Sequence, residues 1–271
     1  MKSLSVTAIL LFLLGCSSTK DPYKAANKSY KKQAKEYAKT LKLQPIEIVN
    51  DTIKAPAEWV GTTNFNMRKP NFVIIHHTAQ NSCDQTLKTF TLVRTQVSSH
   101  YVICRDGVVH HMLNDYLRAW HGGAGKWGNN TDINSSSIGI EIDNNGFEPF
   151  SEQQINSLLS LLGRLKKDYS IPVANYIGHA DIAPGRKNDP SRFFPWQKLS
   201  QQGYGIWYDT TNTVLPTDFN AMQALRIIGY DVKRPEYAIQ SYKIHFSPKD
   251  TTKLIGEPDK KILYDLMMKN Q

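Results

Sequence analysis

Apolar residues recur along this chain with two different periods, and the switches between them outline the elements. The run Asn71-Phe72-Val73-Ile74-Ile75 is almost without polar interruption and predicts a short strand covered on both faces. Residues 86–97 follow with helical spacing. His100-Tyr101-Val102-Ile103-Cys104 and Val108-Val109-His110-His111-Met112 flank Arg105-Asp106-Gly107, and Asp-Gly between two such runs signals a hairpin. Ser137-Ile138-Gly139-Ile140-Glu141-Ile142 predicts another strand. Ser151 then stands where it can cap a helix that carries Ile155, Leu158, Leu159, Leu162 and Leu165 on one face. Residues 175–178 form a last short strand that runs into His179. This alternation predicts an α/β fold, a mixed central β-sheet flanked by helices, with strands 73–75 and 138–142 at its centre.

Both ends of the chain have a different texture. Residues 204–216, punctuated by Gly205 and Pro216, read as a linker after a main segment of 45–203. Three amphipathic helical patterns follow, at 218–228, 235–246 and 258–269, and predict a small three-helix domain over 217–271. Gly229 suits the end of the first helix, and Pro258 suits the start of the third. At the other end, Lys2 precedes an apolar run from Val6 to Leu14. That run is shorter than the roughly 20 residues a membrane-spanning helix needs, so 1–15 reads as a secretory leader. It closes on Leu13-Leu14-Gly15-Cys16, which resembles a bacterial lipobox. The resemblance implies cleavage before Cys16 and lipidation of its thiol and new amino group, a multi-chain anchor in a membrane. Residues 16–44 then form a Lys-rich stretch, either a helix over 21–42 or a solvated tether.

Length and charge narrow the picture further. A chain of 271 residues suits one medium domain and a small one. Its formal charge of +9 would suit nucleic acid or an anionic cell envelope. Export excludes nucleic acid as the partner and favours the envelope, and a monomer is expected. Cys83 and Cys104 remain in the exported chain, either paired or as two separate thiols.

Two segments carry candidate chemistry. His76-His77-Thr78 ends a buried strand, and a rigid element of that kind can hold a metal ligand. The segment Gly178-His179-Ala180-Asp181-Ile182-Ala183-Pro184-Gly185-Arg186-Lys187-Asn188-Asp189-Pro190 is irregular, rich in Gly and Pro, and holds one His and two Asp. A metal would organise such a segment. Catalytic zinc uses three protein ligands, leaves a position open, and lowers the pKa of water towards about 7. One histidine of the 76–77 pair, His179 and either Asp181 or Asp189 would complete that set.

Together Ile75-His76-His77-Thr78-Ala79, Ser137-Ile138-Gly139-Ile140-Glu141 and residues 179–190 resemble the three motifs of the type 2 N-acetylmuramoyl-L-alanine amidases. This family also contains the peptidoglycan recognition proteins and phage amidases. The resemblance runs from about 45 to the C-terminus and is strongest over 71–199. It is closest to the outer-membrane lipoprotein branch related to the anhydro-muropeptide amidase. It implies one zinc ion held by His76, His179 and Asp189, with Asp181 shaping the loop and His77 packing behind the site. It also implies Glu141 as the acid–base residue and Lys187 as a stabiliser of the transition state. His100, Trp120 and His121 fall in segments that line the groove in relatives and are expected to contact substrate.

The implied reaction is hydrolysis of the amide between N-acetylmuramic acid, intact or anhydro, and L-alanine, in peptidoglycan or muropeptides. The implied location is the periplasmic side of the outer membrane. The helices at 217–271 resemble a peptidoglycan-binding domain. A competing class is a peptidoglycan-binding lipoprotein without catalysis. Such relatives lack a zinc ligand, whereas every candidate ligand is present here.

Overall fold

The structure, a computed structural model, describes residues 21–42, 49–50, 53–54, 62–64, 67 and 69–270. The expected leader, Cys16 and the first residues of the 45–203 segment lie outside them. The chain divides into two compact units, 1–63 and 64–271. In the first, α1 (Lys24–Thr40) makes a helix of the stretch expected to be helix or tether. Strands β1 (Val49–Asn50) and β2 (Ile53–Lys54) of the same unit pair antiparallel.

The second unit is built on a sheet of β3 (Phe72–His77), β4 (Tyr101–Ile103), β5 (Val109–His111), β6 (Ser137–Ile142) and β7 (Tyr176–Gly178). The strand order is β5-β4-β6-β3-β7. Only the β4–β5 hairpin is antiparallel, and β4–β6, β6–β3 and β3–β7 are parallel. The sheet is therefore mixed, with β6 at its centre and β3 beside it. Both of these strands are buried along nearly their whole length because both faces are covered; in β6 the isoleucines 138, 140 and 142 alternate with Ser137, Gly139 and Glu141.

Helix α2 (Cys83–Thr91) begins earlier and ends sooner than the pattern over 86–97 predicts. Ser82 Oγ accepts the Gln85 N–H at 3.2 Å and sets the start. At the other end the Thr95 hydroxyl reaches the carbonyls of Thr89 and Leu92 at 2.8 and 2.7 Å, and a tight turn over Val93–Thr95 replaces the last helical turn. A disulfide joins Cys83 to Cys104 and ties this helix to the end of β4.

After the short α3 (Ile133–Ser136) comes α4 (Glu152–Tyr169), which carries the expected Ser151 cap. Its Ile155, Leu158, Leu162 and Leu165 cover one face of the sheet, against Val73, Ile75, Ile138, Ile140 and Ile142. The other face packs Ile74 and Ile177 against Ile182, on α5 (His179–Ile182). Helix α6 (Trp196–Gln201) follows.

Helices α7 (Ala221–Ile228), α8 (Pro235–Phe246) and α9 (Glu257–Met268) share a core of their own that includes Leu225, Tyr242 and Leu263. α7 starts later than its pattern suggests, because Asn220 Oδ1 accepts the N–H groups of Met222 and Gln223 at 2.9 and 3.0 Å. The first residues of the connection before α7 are packed. Trp207 lies against both the sheet core and the helical core.

Candidate active site

The alternation of a strand decides which histidine of the pair can act. Val73 and Ile75 face α4, so Ile74 and His76 face the other way. The parallel register sets His76 beside Glu141, and in-register neighbours share a face. Glu141 Oε1 lies 3.9 Å from His76 Nδ1. His77 points to the opposite side, where its Nδ1 accepts the Ser191 N–H at 3.0 Å. A Cβ on Gly146 would come within 2.8 Å of its Nε2. His77 is thus a packing and anchoring residue.

His179 enters from β7, which ends beside β3 with Ile75 opposite Gly178. The loop after α5 folds back so that the Asp189 carbonyl accepts the Ala180 N–H at 2.6 Å, which brings Asp189 to His179. The result is a near-equilateral triangle of three buried donor atoms. His76 Nδ1 and His179 Nδ1 are 2.9 Å apart, and each lies 3.0 Å from Asp189 Oδ2. Two imidazole nitrogens and a carboxylate oxygen at one point could hold a metal ion, and such a set fits the ligand types that catalytic zinc uses.

Electrostatics agree with that fit. Burial and the neighbouring His179 lower the His76 pKa to about 4, so its ring is neutral and able to ligate at pH 7. Burial alone would raise the Asp189 carboxyl, but the imidazoles of His179 and His76 beside it hold it well below the usual carboxylate range. Burial, with the charge of Asp189, pushes Glu141 up to about 8, and its Oε2 is buried without a partner.

The protonation of His76 is settled by a chain of hydrogen bonds behind it. The Ser137 hydroxyl donates to the Ile133 carbonyl at 2.6 Å. Ser137 Oγ must then accept from His121 Nε2–H, at 3.1 Å. His121 Nδ1 in turn accepts from His76 Nε2–H, at 3.0 Å. His76 Nδ1 is left with its lone pair directed at the triangle. His121 can stand there because residue 139 is glycine, since a Cβ on it would lie 2.5 Å from the ring. Burial and the surrounding histidines keep His121 well below an ordinary imidazole. His121→Ala is expected to weaken the metal affinity of this candidate site by roughly 10–100-fold while leaving the three donors in place, as losses of such supporting partners do. Competition against a chromophoric chelator measures this, and unchanged affinity would contradict the chain.

Asp181 is not a ligand. Its Oδ2 accepts the Gly178 N–H at 2.8 Å and bonds His245 Nδ1 at 2.7 Å, and its Oδ1 accepts the Tyr230 hydroxyl at 2.8 Å. It caps α5 and ties the segment carrying His179 and Asp189 to the C-terminal helices. His245 also stacks on Trp196, with ring centroids 3.9 Å apart. Arg192 Nη1 donates to the Pro248 carbonyl at 2.6 Å. A Cβ on Gly185 would lie 2.5 Å from the Tyr237 ring. The helical module therefore braces the loop that carries His179 and Asp189.

Comparison with known proteins bears on this geometry. A family model described as N-acetylmuramoyl-L-alanine amidase matches residues 66–192. The N-acetylmuramoyl-L-alanine amidase AmiD of Escherichia coli is 36% identical over 219 residues, which are 69% of this chain and 77% of that protein. The chain belongs to the N-acetylmuramoyl-L-alanine amidase family. The 1,6-anhydro-N-acetylmuramyl-L-alanine amidase AmpD of Haemophilus influenzae is 34% identical over 108 residues, 40% of this chain and 59% of its own length. Among solved structures, AmpDh3 from Pseudomonas aeruginosa superposes with a TM-score of 0.69 at 26% identity, over 80% of this chain and 99% of its own. AmiD from E. coli in complex with the substrate anhydro-N-acetylmuramic acid-L-Ala-D-gamma-Glu-L-Lys gives 0.67 at 28%, over 82% and 97%.

Within this amidase the remaining expected residues separate. Lys187 is exposed, and its positive charge lowers the pKa values of His76 and Glu141. Trp120 is half-exposed next to His121. His100 does not fit a substrate contact. It is fully buried, its Nε2–H donates to the Leu117 carbonyl at 2.9 Å, and its Nδ1 accepts the Gly139 N–H at 3.0 Å. His121, also buried, supports His76 rather than lining a groove. Gly139 and the Asp181–His245–Tyr230 knot are the functional features the sequence reading passed over. A glycine inside an apolar strand was the available signal for the first, because it marks close approach of another group.

Proposed function

We propose that this chain hydrolyses the amide between the lactyl group of N-acetylmuramic acid, intact or anhydro, and L-alanine, with one zinc ion held by His76, His179 and Asp189. The observation that carries the reading is the convergence of three buried donor atoms within 3.0 Å of one another beside the Glu141 carboxyl. A zinc ion there supplies a Lewis acid that polarises the scissile carbonyl and acidifies the attacking water.

The protein supplies the rest. Glu141 takes the proton of the attacking water and delivers it to the departing amine of L-alanine. Lys187, exposed at the edge of the site, brings a preset positive charge towards the developing oxyanion. Trp120 offers an apolar ring to the sugar or peptide at the rim. Cys16 carries the lipid that holds the enzyme on the outer membrane, facing the periplasm and its peptidoglycan.

The direct test is incubation of the protein with purified muropeptides, intact and anhydro, with zinc and with a chelator. Release of free stem peptide only in the zinc arm is expected. No release with zinc overturns the reading.

Loading the site also has a pH signature. Glu141 keeps its proton up to about pH 8 in the metal-free protein, and a cation beside it favours the carboxylate. Metal binding must therefore release a proton. Affinity should rise with pH by up to about tenfold per unit below 8 and level off above it. Calorimetric titrations in buffers of different ionisation enthalpy read the proton release. A pH-independent affinity would contradict it.

A further inference from the structure

Helix α1 has no buried residue along its length. From Lys24 to Lys42 the sequence holds seven lysines and a single acid, Glu36. Lys39 pairs with Glu36 at 3.0 Å, and the other ammonium groups have no partner among the described residues. At about 100° per residue, Lys24, Lys28, Lys31, Lys32, Lys35 and Lys39 fall within an arc of roughly 100°. Tyr30 and Tyr37 project from the opposite side of the helix.

A helix that only spaces two parts of a chain gains nothing from this sorting. Lysines at i and i+4, as in Lys24/Lys28, Lys28/Lys32, Lys31/Lys35 and Lys35/Lys39, repel one another and weaken the isolated helix. A dense negative surface laid along the same face turns that repulsion into attraction. Several basic residues on one helix face are what anionic headgroups draw in. The helix begins eight residues after Cys16, close enough in sequence to lie along a membrane to which that residue is attached.

We propose that the lysine face of α1 docks on an anionic phospholipid surface. The contact is electrostatic and does not require the lipid at Cys16, although a basic patch is the kind of second signal that strengthens a lipid anchor. It also stands apart from the amidase reading, because α1 contributes no residue to the candidate site.

A chain starting at Ser17 keeps every described residue and carries no lipid. It is sedimented with vesicles of phosphatidylcholine containing phosphatidylglycerol, and with vesicles of phosphatidylcholine alone, at low and high salt. Binding to the first vesicles only, falling steeply as salt screens the charges, is expected. The triple variant Lys28→Gln, Lys32→Gln, Lys35→Gln keeps good helix formers and should bind about 100-fold more weakly. Its hydrolysis of soluble muropeptide should match that of the parent, so loss of docking is read separately from loss of catalysis. Equal binding to both vesicles, unchanged binding by the triple variant, or retention on isolated peptidoglycan but not on vesicles would each overturn the proposal.

Discussion

His179→Ala is expected to lose the stoichiometric metal together with about three orders of magnitude or more of turnover, several kcal/mol of transition-state stabilisation. The loss is large because His179 is one corner of a three-atom site and nothing nearby replaces it. Glu141 Oε1 is the next carboxylate, and it stands 3.9 Å from His76 Nδ1 rather than at the 2.9–3.0 Å that separates the three donors. Asp181 is held in its three hydrogen bonds to Gly178, His245 and Tyr230. Truncation also leaves the Asp189 carboxylate buried with one imidazole partner instead of two. Metal content by mass spectrometry and hydrolysis of a muropeptide are the two readouts. A variant that kept stoichiometric zinc and the parent rate would remove His179 from the site.

Glu141→Gln should separate chemistry from metal binding. The amide has nearly the shape of the carboxyl and cannot exchange a proton with water, so turnover should fall by about 10²–10⁴-fold, the usual contribution of a positioned acid–base group. The metal should stay, because the three donors are untouched. The same substitution removes the group whose proton is displaced on metal loading, so the rise of affinity with pH below about 8 should flatten as well. Unchanged turnover would exclude Glu141 from the mechanism. Loss of the metal would make it a ligand instead.

These expectations rest on features that differ in how visible they are in the sequence. The strand over Ser137–Ile142 and the cap at Ser151 were legible because local pattern decides them: isoleucines at every second position must be covered, and a serine before an amphipathic stretch satisfies free N–H groups. Helix α2 was misplaced by three residues at its start, because Ser82 and Thr95 hydroxyls compete with the backbone pattern at its two ends. The Cys83–Cys104 pairing stayed open, since a bridge depends on where two distant segments meet.

The candidate site divides in the same way. Its residue types and their placement on a strand end and a Gly- and Pro-rich loop are properties of the sequence, and the motifs at 75–79, 137–141 and 179–190 carry the family by themselves. Which histidine of 76 and 77 faces the site follows from the pleat once the core-facing side of β3 is known. The family resemblance points to Asp189 over Asp181, but the physical reason for it needed the fold. Asp181 is claimed by Tyr230 and His245, residues 49 and 64 positions away, and no local pattern encodes that. The same holds for His121, which meets His76 from 45 residues away, across the gap left by the missing Cβ of Gly139. Sequence determined the chemistry available to this protein because side-chain types and local periodicity are written along the chain. Tertiary structure decided which of those groups converge as candidate ligands, which support them and which are packing, because hydrogen-bond partners of buried polar groups come from segments far apart in it.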